Sequence, residues 1–181
     1  MSKPGFDCEI NNFILFFYMT PLLKKYECVA MGGTFDILHI GHIELLKKSF
    51  EIGKFVIIGL SSDNLVKERL MKKINNSYEV RKQNLVKIIE MEVGSNFYEI
   101  TKLEDVFGPL MFSEKVDCMV ASTETSYKGK HVNEVRTRMG LPVIDIVSVE
   151  LKLAQDGLPI SSSRIRANEI DQMGNTIKNK K

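Results

Sequence analysis

The chain of 181 residues contains no tryptophan, five prolines, three histidines and three cysteines. Cys8, Cys28 and Cys118 are odd in number, widely spaced and free of any CxxC pair, which argues against a disulfide scaffold or a structural zinc site and fits a reducing cytoplasm. Charge of one sign is also scarce. Lys plus Arg number 25 against 23 for Asp plus Glu, so no broad basic field points to nucleic acid. The longest apolar run, Phe13–Met19, is far short of the roughly 20 residues a membrane span needs. A secretory signal is disfavoured as well, because Asp7 and Glu9 precede that run and no small-residue cleavage site follows it. Residues 1–22 read either as an apolar flap on the domain or as an over-extended start with translation beginning at Met19, and a chain starting at Met19 is expected to fold.

What is present is an alternation of β-rich and helical segments, which predicts an α/β domain over residues 23–174 with a Rossmann-like, doubly wound parallel sheet. Strands are expected at Tyr26–Met31, Phe55–Leu60, Phe97–Thr101, Asp117–Ser122 and Val143–Val149. Gly32-Gly33 is expected to stop the first strand, and Ile43, Leu46 and Phe50 form one face of the helix that follows. Ser61-Ser62-Asp63 can cap a helix from Asn64. A longer helix from about Tyr78 to Glu92 shows a stripe of Val80, Asn84, Leu85, Ile88, Ile89 and Glu92. Another, from about Lys130 to Met139, ends at Gly140-Leu141-Pro142. Its Arg136 and Arg138 read as a solvated face and His131 as a surface residue. The tail, residues 175–181, reads as polar and frayed. In such a fold, ligands sit beyond the C-terminal ends of the strands.

Two clusters carry the chemistry. The first is Gly32-Gly33-Thr34-Phe35-Asp36-Ile37-Leu38-His39-Ile40-Gly41-His42, at the expected handover from strand to helix. The paired glycines let backbone N–H groups approach a phosphate, and the helix N-terminus favours an anion. His39 and His42, three apart, share one side of the first turn, and Gly41 leaves room for a ligand against the backbone. Zinc ligation would need further ligands that the local sequence does not supply, so no metal is assigned to these imidazoles. The second cluster is Ile160-Ser161-Ser162-Ser163-Arg164-Ile165-Arg166, after a turn at Gln155-Asp156-Gly157. Its hydroxyls can cap a helix and bind phosphate oxygens, and its arginines add charge beside that anion site.

GGTFDILHIGH and ISSSRIR resemble the HxGH and ISSTxxR signatures of the nucleotidyltransferase superfamily. Class I aminoacyl-tRNA synthetases share the first signature, but no KMSKS-like segment is present here. Three further stretches, Ser77–Leu85, Ser122–Leu141 and Ala154–Arg166, are similar to the archaeal and eukaryotic type of phosphopantetheine adenylyltransferase. The likeness runs from about Cys28 to Gly174; Ser163 stands where that family commonly has Thr, which keeps the hydroxyl.

The resemblance implies transfer of an adenylyl group from ATP to 4′-phosphopantetheine, with Mg²⁺ bridging phosphate oxygens. It implies catalytic roles for His39, His42 and Arg166. Gly32, Gly33, Thr34, Phe35, Gly41, Ser161, Ser162, Ser163 and Arg164 would bind ATP. On the acceptor side, Lys72 and Lys73 read either as substrate contacts or as a solvated loop, and Glu124 and Thr125 as a loop touching adenine or pantetheine. A cytidylyltransferase acting on a phospho-alcohol, and a silent nucleotide-binding regulator, are the other readings of the same motifs. The TET, NEVR and AQDGLPISSSRIR elements favour the first, and the intact phosphate-transfer set disfavours the second.

Overall fold

The computed structural model describes residues 24–71, 73–94 and 97–177. Residues 1–22 and Lys72 therefore lie outside the described residues, and with them the readings of the N-terminal extension. Strands β1 (Tyr26–Gly33), β2 (Gly53–Ser61), β3 (Tyr98–Leu103), β4 (Cys118–Ser122) and β5 (Asp145–Val149) form one sheet in the order β3-β2-β1-β4-β5. Every pairing is parallel. The helices are α1 (Ile40–Ile52), α2 (Tyr78–Glu92), α3 (Lys128–Arg138) and the short α4 (Ser162–Arg166).

Strand residues alternate between two buried faces, as a parallel sheet requires when helices cover both sides. Val29 and Met31 join Leu46 and Phe50 of α1 and Leu85 and Ile89 of α2 in one core. Cys28 and Ala30 point the other way and pack with Val116, Val132 and Ile144. Strand order reverses direction between β1 and β4, and a crevice opens there beyond their C-terminal ends.

Several boundaries depart from the sequence reading for identifiable reasons. Gly32 and Gly33 do not stop β1, because they stay in register with Gly59 and Leu60 of β2. Ser62 accepts the Leu65 N–H through its hydroxyl, but the segment it caps is one π-helical turn, Leu65–Arg69. Asp63 serves α2 instead, accepting the Tyr78 N–H. The inward face of α2 is Arg81, Leu85 and Ile89, whereas Val80 is 40% exposed. The helix is turned by a residue because Arg81 is drawn inside by Asp63 and by the Thr34 and Asn76 carbonyls.

Arg136 is likewise not solvated. It is fully buried and donates to the carbonyls of Pro142, Leu110, Ser113 and Val116, joining four carbonyls that lie outside the sheet. The start of the tail is tied down rather than frayed: Asn175 bonds Asp171, and the Thr176 hydroxyl donates to Gln155. The turn at Gln155–Gly157 forms as expected, with Gly157 at φ +79°, a left-handed conformation that a side chain would strain.

Candidate active site

The phosphate-loop cluster leaves β1 and enters α1. Phe35 takes φ +49°, rare for a bulky residue, while its ring is buried beneath the loop, 5.1 Å from the His42 ring. Such a conformation costs of order 1–3 kcal/mol and persists where its surroundings fix it. His39 caps the helix with extended backbone, and its carbonyl accepts the His42 and Ile43 N–H groups. The Ile40 N–H goes to the Gln172 carbonyl. The two imidazoles stack, 3.8 Å between centroids and 29° between planes. His39 is 8% exposed, its Nδ1 is buried without a hydrogen-bond partner, and burial pushes its pKa down to about 4. It is therefore neutral near pH 7.

The second cluster reaches the same place from the far end of the chain. Ile160, Ala154 and Ile170 form a small core against Ile40 and Ile165, which seats α4 beside the start of α1. Ser161 is the N-cap of α4, accepting the Arg164 N–H, and the Ser162 hydroxyl donates to the Ile37 carbonyl across 125 residues of sequence. A cleft of about 280 Å³ results. Gly32, Gly33, Thr34, Phe35, His39, Gly41, His42, Ser161, Ser162, Ser163 and Arg166 all line it, and so do Lys73, Glu124 and Thr125. Arg164 is the exception. Its guanidinium is turned outward to Asp156 and Glu169 and to the carbonyls of Leu158 and Pro159, so it braces the turn before α4 and does not face the cleft.

Residues 30–168 match the cytidylyltransferase-like family. Across 156 residues the chain is 42% identical to the phosphopantetheine adenylyltransferase of Pyrococcus furiosus, covering 86% of this chain and 96% of that one. It is 45% identical over 150 residues to the Methanosarcina acetivorans protein of the same name, covering 81% and 93%. The chain belongs to the phosphopantetheine adenylyltransferase family. Among solved structures, an Archaeoglobus fulgidus protein described as of unknown function superposes with a TM-score of 0.60 at 29% identity, over 67% of this chain and 87% of that one. The tyrosyl-tRNA synthetase of the same organism, at 12% identity and a TM-score of 0.55 over 86% and 63%, shares the fold alone.

In this member of the adenylyltransferase family, three residues given no role by sequence pattern organise the cleft. Asp36 is 4% exposed and lines it, accepting from the N–H groups of Asn75 and Asn76 and from Arg166. Burial alone would raise the Asp36 carboxyl, but the Asn75 N–H and the Arg166 guanidinium outweigh it and hold it below the ordinary carboxylate range. Arg81, on the inward face of α2, grips the Thr34 carbonyl at 2.6 Å and Asp63 at 2.7 Å. One signal for it is legible in the sequence: Arg81 lies in line with Leu85 and Ile89, and a charge on an apolar stripe needs partners. Asn75 is the third, receiving the Arg166 Nε–H at 2.8 Å.

A second cavity of about 190 Å³ adjoins the cleft and shares Met31 to Thr34, Val120, Ala121 and Thr125 with it. Its far walls are apolar, from Leu65, Leu70, Leu103, Val106, Phe107 and Leu110. Among the described residues no group of three or more His, Cys, Asp or Glu gathers where a metal ion could sit. Among the described residues no helix is long and apolar enough to cross a membrane.

Proposed function

We propose that this protein transfers the adenylyl group of ATP to 4′-phosphopantetheine, forming dephospho-coenzyme A and pyrophosphate, a step of coenzyme A biosynthesis in the cytoplasm. One observation carries the reading: two motifs about 120 residues apart in sequence, and the acceptor-side residues Lys73, Glu124 and Thr125, line a single cleft that opens onto an apolar cavity. The polar cleft suits the triphosphate and the acceptor phosphate. The apolar cavity suits the aliphatic portion of the pantetheine arm.

A phosphate oxygen of the acceptor attacks the α-phosphorus of ATP, the bond from that phosphorus to the bridging oxygen breaks, and pyrophosphate leaves with the electron pair. The nucleophile is already an anion, so positioning and charge stabilisation dominate. The start of α1, with Gly41 and His42 on the cleft wall, supplies a favourable dipole and the Gly41 N–H, since the Ile40, His42 and Ile43 N–H groups already bond carbonyls. His39 and His42 stand over the phosphate path as hydrogen-bond donors, and Arg166 adds the positive charge. Mg²⁺ bound with ATP would supply charge neutralisation at the phosphates, next to the positive charge that Arg166 holds in the cleft.

Incubation of the protein with MgATP and phosphopantetheine is expected to give dephospho-coenzyme A and pyrophosphate in equal amounts by mass spectrometry and a coupled pyrophosphate assay. Release of inorganic phosphate, or of pyrophosphate without an adenylylated product, refutes the reading.

A further inference from the structure

A carboxylate in the wall of a phosphate-binding cleft is at first sight a liability, since it repels the substrates. Asp36 is such a group. Its oxygens are fully engaged by two different sides of the cleft. On one side, Arg166 Nη2 donates to Oδ2 at 2.6 Å. On the other, the Asn75 N–H donates to both oxygens at 3.0 Å, and the Asn76 N–H and side-chain amide donate to Oδ1 at 2.9 and 3.2 Å. The Asn76 amide also donates to the Asp36 carbonyl at 2.9 Å. Asn75 closes the ring by accepting Arg166 Nε–H at 2.8 Å.

Two consequences follow. Arg166 spends two of its five N–H groups on Asp36 and Asn75, which fixes the plane of its guanidinium and leaves three for a ligand. The segment from Lys73 to Asn76 has no helix or strand of its own, and Lys73 and Asn75 are exposed, yet Lys73 lines the cleft. Contacts to Asp36, with the Arg81 bond to the Asn76 carbonyl, hold that segment in place.

We propose that Asp36 is a positioning residue that locks the two cationic sides of the cleft together, orienting Arg166 on the nucleotide side and the Lys73-bearing segment on the acceptor side. The assignment of sides rests on the adenylyl-transfer reading above. Simple electrostatics and positioning make opposite predictions. If Asp36 were only a negative charge near phosphates, removing it would tighten ATP binding and leave turnover intact. If it positions, removing it weakens both substrates and slows turnover.

The test measures kcat, and KM for each substrate, for wild type, Asp36→Asn, Arg166→Ala and the double variant, with thermal unfolding in parallel. Asp36→Asn is expected to lower kcat/KM about tenfold for ATP and for phosphopantetheine, the scale of a lost charge-assisted hydrogen bond. In the Arg166→Ala background the ATP effect should shrink below twofold, because its route is gone, while the acceptor effect persists. Asn75→Ala, at an exposed position, serves if Asp36→Asn does not fold. It should lower kcat/KM for ATP about threefold in wild type and not at all in Arg166→Ala. Tighter ATP binding with unchanged kcat, or losses that simply multiply in the double variant, overturns the proposal. Absence of wild-type turnover would instead refute the adenylyl-transfer reading. Calorimetric MgATP binding by the same variants then still tests the Arg166 half, with the same expected pattern.

Discussion

Substituting Gly41 sets two effects against each other. Gly41 is the second residue of α1, and its φ is not positive, so alanine suits the backbone. Helix propensity alone favours Gly41→Ala by up to about 1 kcal/mol, less in a first turn. The added Cβ, however, would stand 3.1 Å from His39 Nδ1 and 3.2 Å from its Cε1, tight enough that the ring must give by a few tenths of an ångström. His39 cannot yield alone, because it is stacked 3.8 Å from His42. A misplacement of about 1 Å in a reacting constellation costs roughly 10²-fold, so a few tenths should cost about four- to tenfold in kcat. The expected result is therefore a split: melting temperature unchanged or slightly raised, kcat lowered. Pyrophosphate release under saturating substrates, beside a thermal melt, reads both. A variant that melts normally and keeps kcat within twofold would refute the claim that the glycine makes room for a precisely held His39.

Four other outcomes are expected. His42→Ala should lower kcat by about 10²–10³ with a much smaller change in ATP affinity, because the lost interaction matters most as charge shifts in the transition state. His131→Ala, on an exposed helix face outside the cleft, should be near neutral in the same kinetic assay. Arg136→Met should cost about 3–5 kcal/mol in urea denaturation, since it strands carbonyls that Arg136 now satisfies. For His39, the folded value of about 4 lies below the unfolded value near 6.5. The unfolded chain thus takes up the proton first, and stability is full above pH 6.5 and falls towards pH 4 by up to about 3 kcal/mol. Denaturation at pH 7.5 and 4.5 should show that fall, and a His39→Gln variant should lack this part of it; an identical pH dependence in both would refute the assignment.

Much of the site was legible because its two motifs are contiguous and each carries its own local geometry. His39, Gly41 and His42 need only one helical turn to come together, and the long helix at Tyr78–Glu92 has the bounds its periodicity indicates. What was not legible depends on pairing across the chain. Asp36 meets Arg166 over 130 residues, and nothing within GGTFD states that its acid will be neutralised from the far terminus. Arg136 reads as surface by residue type, because the four carbonyls that draw it inward come from connecting segments whose paths only the tertiary structure sets. Arg164 shows the converse error. Its place two residues before Arg166 suggests a shared role, but helical positions two apart face different ways, and Asp156 and Glu169 claim it.

If this cleft transfers the adenylyl group of ATP to the phosphate of a pantetheine arm, its nucleotide and acceptor preferences must show it together. Pyrophosphate release measured for ATP and CTP, each with phosphopantetheine, nicotinamide mononucleotide and glycerol 3-phosphate, gives six values of kcat/KM. ATP with phosphopantetheine is expected to exceed every other pair by at least tenfold. Faster turnover of CTP with glycerol 3-phosphate would contradict it.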